Sequence, residues 1–456
     1  MNKMGQHDLG TERIGKLVFS LAVPMIISQI VNLLYNMVDR IYIGRLEDGA
    51  LAMAALGVCF PMITIVAAFA QLLGSGGAPL SAIKMGEKRN DKAEEIMTNS
   101  FMMLIIVGFA LTILTLVFRE PILYLFGASN QTFKYAESYL TIYAVGTIFV
   151  QLTMGMNSYI TCQGFSKIGM CTVLIGAILN IILDPIFIFL FHMGVSGAAL
   201  ATILSQGVSC LWALNFLFGK KSILKIRKKY LKPNIKIVGS IMALGISPFI
   251  MQATESLVQI SFNTQMLRFG GNTALGGLTI MYSLTTFISG PLGGLAQGAA
   301  PIISYNYGAK NLARVKKAFR LIITSCLIGS ILLAGSIMIF SRQFAFIFIK
   351  QGEILEFTTW ALRIFMIGMT IFGLQIGCQN TFMALGQAKI SLVMALLRKV
   401  ILLVPLVYIL PCFMEDKVKG VLMAEPIADA TAAIVTTISF AIFYHKKLKN
   451  ELENNY

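Results

Sequence analysis

The chain has 456 residues, 56% of them hydrophobic and 13% charged, with a mean hydropathy of +0.76 and a formal net charge of +16. A soluble fold of that length has no room to hide so much apolar surface, and the apolar runs reach the roughly 20 residues that a hydrocarbon core requires, so the chain reads as a polytopic membrane protein. Its positive excess lies mostly in short loops, the pattern of the positive-inside rule, which sets aside nucleic acid as a partner.

Twelve spans follow in chain order, at about 17–43, 50–74, 97–118, 136–160, 169–191, 196–218, 237–266, 274–303, 320–340, 357–383, 390–411 and 419–444. The polar stretch before the first of them lacks the pattern of a signal peptide. Lys and Arg concentrate in that stretch, in the even-numbered loops and in the C-terminal tail, an asymmetry that places both termini in the cytoplasm. The most basic loop, 219–236, carries eight Lys and Arg and no acid. It is expected to link an N-terminal lobe, residues 1–218, to a C-terminal lobe, residues 237–456, and to lie on the anionic inner leaflet.

The two lobes repeat one another. Leu21–Gln29 is similar to Leu244–Gln252, displaced by 223 residues; Gly76–Pro79 to Gly298–Pro301, and Gln163–Ile168 to Leu385–Ile390, both displaced by 222. Gly86-Glu87-Lys88 and Gly308-Ala309-Lys310 follow the second pair at the same spacing. An even number of spans per copy makes the copies enter from the same side, related by an axis along the membrane normal. The expected fold is all-α, with twelve transmembrane helices in two pseudo-symmetric six-helix lobes.

Ionisable residues at membrane depth are costly and mark functional sites by default. Asn180 and Asp184 share one face of the fifth span, and Pro185, lacking an N–H and crowding the carbonyl of Ile181, frees that oxygen nearby. Three hard oxygen donors on one kinked turn suit a proton or a small cation. Asp39, near the outer end of the first span, and Thr202, early in the sixth, lie at matching depth. Competing readings make Asp39 an interfacial acid beside Arg40, Thr202 a hydroxyl bonded to its own backbone, and Asp184 half of a buried pair. In the second lobe Glu255 is a candidate acid for a cationic substrate or a proton. It is equally a partner for Arg398, with which Glu425 and Asp429 form a second possible charge network. The glycine-rich stretches Gly74–Ala78 and Gly290–Pro301 lack the phosphate-loop pattern and read as ends or kinks of spans. Gly373 and Gly377 read as close helix packing. Seven scattered cysteines and three isolated histidines offer no catalytic or metal-binding spacing, so neither an enzyme nor a cofactor is expected.

These features resemble the multidrug and toxic compound extrusion (MATE) family, in its DinF- and MepA-like branch. The more specific pieces are Asn32–Asp39, Leu179–Pro185 and Ala424–Asp429. The resemblance implies antiport in the bacterial cytoplasmic membrane, in which inward Na+ or H+ drives export of amphipathic, often cationic small molecules. Asp39, Asn180, Asp184 and Thr202 match the branch's first-lobe cation site, with Pro24 and Pro185 as hinges. Glu255 is similar to the seventh-helix acid of another sodium-coupled branch, but the eighth and tenth spans here lack interior acids, which favours coupling through the first lobe. Membrane lipids are the other expected partners, and the protein is expected to be a monomer. Alternatives within the same superfamily are a flippase for a lipid-linked precursor and a dedicated metabolite exporter. A polytopic membrane enzyme is the distant one.

Overall fold

In lipid, a backbone satisfies its own polar groups only as a helix or a closed barrel. The computed structural model describes residues 7–449, and among them the chain is helical, with no strand. In order the helices are α1 (Ile14–Gly44), α2 (Gly49–Gly86), α3 (Asn90–Val117), α4 (Arg119–Leu125), α5 (Phe133–Cys162), α6 (Ser166–Pro185), α7 (Val195–Phe218) and α8 (Ile235–Ala253). They continue as α9 (Glu255–Gly308), α10 (Leu312–Ile339), α11 (Ser341–Phe348), α12 (Glu353–Phe365), α13 (Phe372–Ala384), α14 (Ala388–Leu396), α15 (Val404–Phe413) and α16 (Lys417–Phe443).

Ten helical stretches among the described residues are long and apolar enough to cross a membrane. One of them, Ile235–Gly308, has 74 residues. At about 1.5 Å per residue it is far longer than a core of about 30 Å. It breaks at Gly271, whose φ of +62° and ψ of −158° no other residue type tolerates well, so it makes two passes. A further pass comes from α12 and α13, which flank the short turn Gly368–Thr370 and are each 13 residues long, too short to span alone. Twelve passes result, as the hydropathy pattern predicts.

The chain forms two compact units whose boundaries differ from the expected ones. Unit 1 holds Ile27–Gln252 with the described residues before Arg13, and unit 2 holds Arg13–Ile26 with the chain from Ala253 onward. The opening half of α1 therefore belongs to unit 2, and most of α8 belongs to unit 1. These are the segments the repeat pairs, each carrying a proline, Pro24 and Pro248.

The glycine-rich stretches explain how the exchanged segments are held. They lie inside continuous helices rather than at their ends, beside Pro79 in α2 and with Pro291 and Pro301 in α9, so of the two expected readings, ends or kinks, the first does not hold. In unit 1, a Cβ on Gly245 of α8 would overlap the carbonyl oxygen of Leu72 on α2. In unit 2, a Cβ on Gly298 of α9 would lie 2.7 Å from the carbonyl oxygen of Leu21 on α1. Only bare backbones can approach so closely, which is how helices gain attraction in a solvent as apolar as their side chains. Gly245→Val is expected to destabilise the protein by at least about 1–3 kcal/mol through overpacking, read as a lower melting temperature in detergent.

The repeat persists in the backbone. Lys88 and Lys310, closing the two Gly-x-Lys segments, both adopt left-handed φ, 60° and 56°; Gly164 and Gly386 do so at 88° and 69°. Each Lys ends its helix in the same way: Arg89 N donates to Lys84 O and Asn311 N to Asn306 O, both at 2.9 Å.

The basic stretch 219–236 is folded onto unit 1. Gln163 Oε1 accepts from Ser222 Oγ at 3.0 Å and from the amides of Ile223 and Leu224, both at 2.8 Å. Farther along, Arg227 Nε donates to Glu94 Oε2 at 2.7 Å, and the Asn234 amide to Asn99 Oδ1 at 2.6 Å. Gln163→Ala strips the acceptor from two amides at once and is expected to cost about 1–3 kcal/mol. Faster hydrogen exchange at Ile223 and Leu224, with α5 unaffected, is the measurement that checks it.

Candidate functional site

Four spans of unit 1 build a polar site at one depth. The run of α6 continues to Pro185, and its period places Asn180 and Asp184 on one face; both are buried, at 3% and 0% exposure. From Nδ2 the Asn180 amide donates to Asp184 Oδ1 at 3.2 Å and to Thr202 Oγ1 on α7 at 3.4 Å. Asp39, near the end of α1, is half-buried, and its carboxyl adjoins that of Asp184 closely enough for the two to share a proton. Arg40 is exposed, and its charge reaches Asp39 only as a neighbour. All four residues singled out in the sequence are thus brought together. Tyr35 on α1 and Tyr139 on α5 also stand within electrostatic reach of Asp39. Sequence alone leaves them among many aromatics, because nothing in the chain tells which face of α5 turns toward an acid on α1.

What the site leaves unsatisfied defines its chemistry. Asp39 Oδ1, Asn180 Oδ1 and Asp184 Oδ2 are buried and have no hydrogen-bond partner. Buried acceptors without donors cost free energy, and two adjoining carboxylates do not both ionise readily without a counter-charge. A proton shared by the acids relieves both costs, and so does a small hard cation taking the oxygens as ligands.

Proline shapes the turn that follows. Pro185 supplies no N–H, and a π-helical turn, Ile186–Leu190, carries the chain onward. Gly197 of α7 accommodates it, since a Cβ there would lie 2.7 Å from the Phe187 carbonyl carbon. In α1, Pro24 stands just before the Ile26/Ile27 division between the units.

Unit 2 holds the second group of charges. Arg398 and Lys399 sit in the π-helical turn Leu397–Leu403 between α14 and α15, and both are buried. Arg398 Nε donates to Asp429 Oδ1 at 2.6 Å and Nη2 to Glu425 Oε1 at 3.3 Å, while the guanidinium lies 4.3 Å from the Phe372 ring centre. Glu255, offered to Arg398 by the sequence, is instead ion-paired with Lys399. The arginine's fork is already taken by two carboxylates on one face of α16, and its neighbour in the turn reaches α9.

Each half of the repeat matches the MatE family profile, at residues 24–186 and again at 248–409, well over half of the chain. The chain belongs to the MatE family. Among curated MATE relatives it is similar to the multidrug export protein MepA of Staphylococcus haemolyticus (strain JCSC1435), at 25% identity over 439 residues, 96% of this chain and 95% of that protein. Among solved structures it is similar to a MATE in the straight conformation, with a TM-score of 0.92 and 25% identity over 99% of this chain and 100% of the other. A MATE in the bent conformation gives 0.90 and 24%, over 97% of each chain. The protein is a multi-pass membrane transporter of the MATE fold, not an enzyme.

Proposed function

We propose that this transporter is an antiporter in a bacterial cytoplasmic membrane, with both termini inside, that uses inward Na+ or H+ to export amphipathic, often cationic compounds. One observation carries the reading: three buried oxygens that lack donors, two on the adjoining acids Asp39 and Asp184 and one on Asn180. The similarity to a protein named for multidrug export supports the choice of cargo.

In this scheme the cation binds between Asp39 and Asp184, with the Asn180 carbonyl and the Thr202 hydroxyl as further donors. Neutralising the acids removes their repulsion and lets α1 and α6 change curvature at Pro24 and Pro185, where the helical hydrogen-bond ladder is already interrupted. Export is driven because cation and cargo prefer different conformations, and coupling is no larger than that difference in affinity. Efflux of ethidium from proteoliposomes, with a sodium gradient or a proton gradient imposed separately, tests the proposal. One gradient is expected to drive efflux and thereby name the ion. If neither moves any dye tried, multidrug antiport is wrong and a lipid-precursor flippase or dedicated exporter takes its place.

A further inference from the structure

The charges of the cluster in unit 2 do not balance. Three carboxylates, Glu255, Glu425 and Asp429, face two bases, Arg398 and Lys399, and all but Glu255 are buried. Lys399 is paired with Glu255, and Arg398 is divided between Glu425 and Asp429. Glu425 Oε2 and Asp429 Oδ2 are left buried with no hydrogen-bond partner, on side chains only 6% and 0% exposed. These two acids are four residues apart on one face of α16 and share a single guanidinium, so one positive charge meets two negative ones.

A buried carboxylate in excess of its counter-charges is costly, and neutralising it relieves that cost most directly. A metal ion is a poor candidate, since Arg398 already occupies the approach to both acids and would repel it. A proton needs no ligand shell, and a protonated carboxyl becomes a donor where two acceptors stand orphaned. We propose that Glu425 and Asp429 together bind one exchangeable proton, at a site in unit 2 separate from the Asp39/Asp184 site of unit 1.

The ionisable groups facing the pair are Arg398 and Lys399 from the Leu397–Leu403 turn, and Glu255 and Tyr282 from α9. Of the other helices packed on α16, α12 carries Glu353, which accepts from Thr273, Glu356, paired with Arg342, and Arg363, bonded to Ser341; α13 carries Cys378, beside Cys326; α15 carries Tyr408 and Cys412, both exposed. Glu255 is the cluster's outlet, with its side chain 43% exposed against 9% for Lys399. A carboxylate at membrane depth is far less costly where it meets water than where it meets lipid, so the proposed proton route runs past Glu255.

The test is infrared difference spectroscopy on the full-length protein in liposomes, in an Asp39→Asn/Asp184→Asn background that silences the unit 1 acids. A protonated-carboxyl C=O band is expected that shifts in D2O, titrates with pH, ignores Na+, and disappears when Glu425→Gln or Asp429→Asn is added. No band in that background, or one that survives both additions, overturns the proposal. The amide side chains imitate a neutral carboxyl, so at least one of the two variants is expected to melt with its parent. If neither folds, both acids are needed ionised and the proposal falls.

Discussion

Asp184→Asn is expected to abolish gradient-driven export while leaving membrane insertion intact. The substitution keeps the shape and the hydrogen bond from Asn180 but removes the charge that makes the site prefer a cation in one conformation over the other. Coupling energies of about 1–3 kcal/mol correspond to factors of about 5–150, so an effect near 100-fold on dye efflux is anticipated. Stability is expected to move the other way or not at all, because a buried acid short of counter-charge is replaced by a neutral group. Asp39→Asn should reproduce the loss of export. Thr202→Val should do less, since it deletes only one neutral donor from the set. Efflux from proteoliposomes loaded with ethidium, with melting in detergent alongside, measures both quantities. Wild-type export by Asp184→Asn under either gradient would end the first-lobe scheme.

The second large effect is structural. Arg398→Gln leaves Glu425 and Asp429 facing each other with their shared guanidinium gone. Breaking a buried pair by removing one partner typically costs about 3–5 kcal/mol. A clear fall in melting temperature is therefore expected, together with lower yield from membranes. Adding Asp429→Asn to Arg398→Gln should restore much of it, because the double substitution removes the charge that was stranded. Arg398→Lys is expected to rescue poorly, since one ammonium does not replace a planar fork that reaches both carboxylates and lies against Phe372. A single variant that melts with the parent would mean the network contributes nothing to the fold.

How much of this was legible in the sequence depends on the kind of information involved. Depth along a span follows from counting residues, which is why Asp39, Asn180, Asp184 and Thr202 can be placed at one level and are found together. Rotation about a helix axis does not follow from counting. Arg398 and Lys399 are adjacent, and which of them meets Glu255 is decided by the π-helical turn that carries both. The glycine-rich stretches look like breaks because glycine weakens an isolated helix. Here that cost is outweighed by contacts between backbones, and α2 and α9 run through them. The repeated Leu21–Gln29 and Leu244–Gln252 segments are visible as a likeness, but their exchange between the units depends on contacts more than 160 residues apart, which no local pattern encodes.

That exchange has a consequence for how the protein is made. Unit 1 is not finished when its seventh helix leaves the ribosome, because it still lacks Ile235–Gln252, which packs on α2 through Gly245 and Gly76. The segment of α1 that joins unit 2 is synthesised long before α9 and waits for it before meeting its partners, Gly294 and Gly298. Neither half can therefore mature as a self-contained product. A chain stopped at the basic stretch is an orphan that quality control should clear, whereas the two fragments made together should assemble and survive.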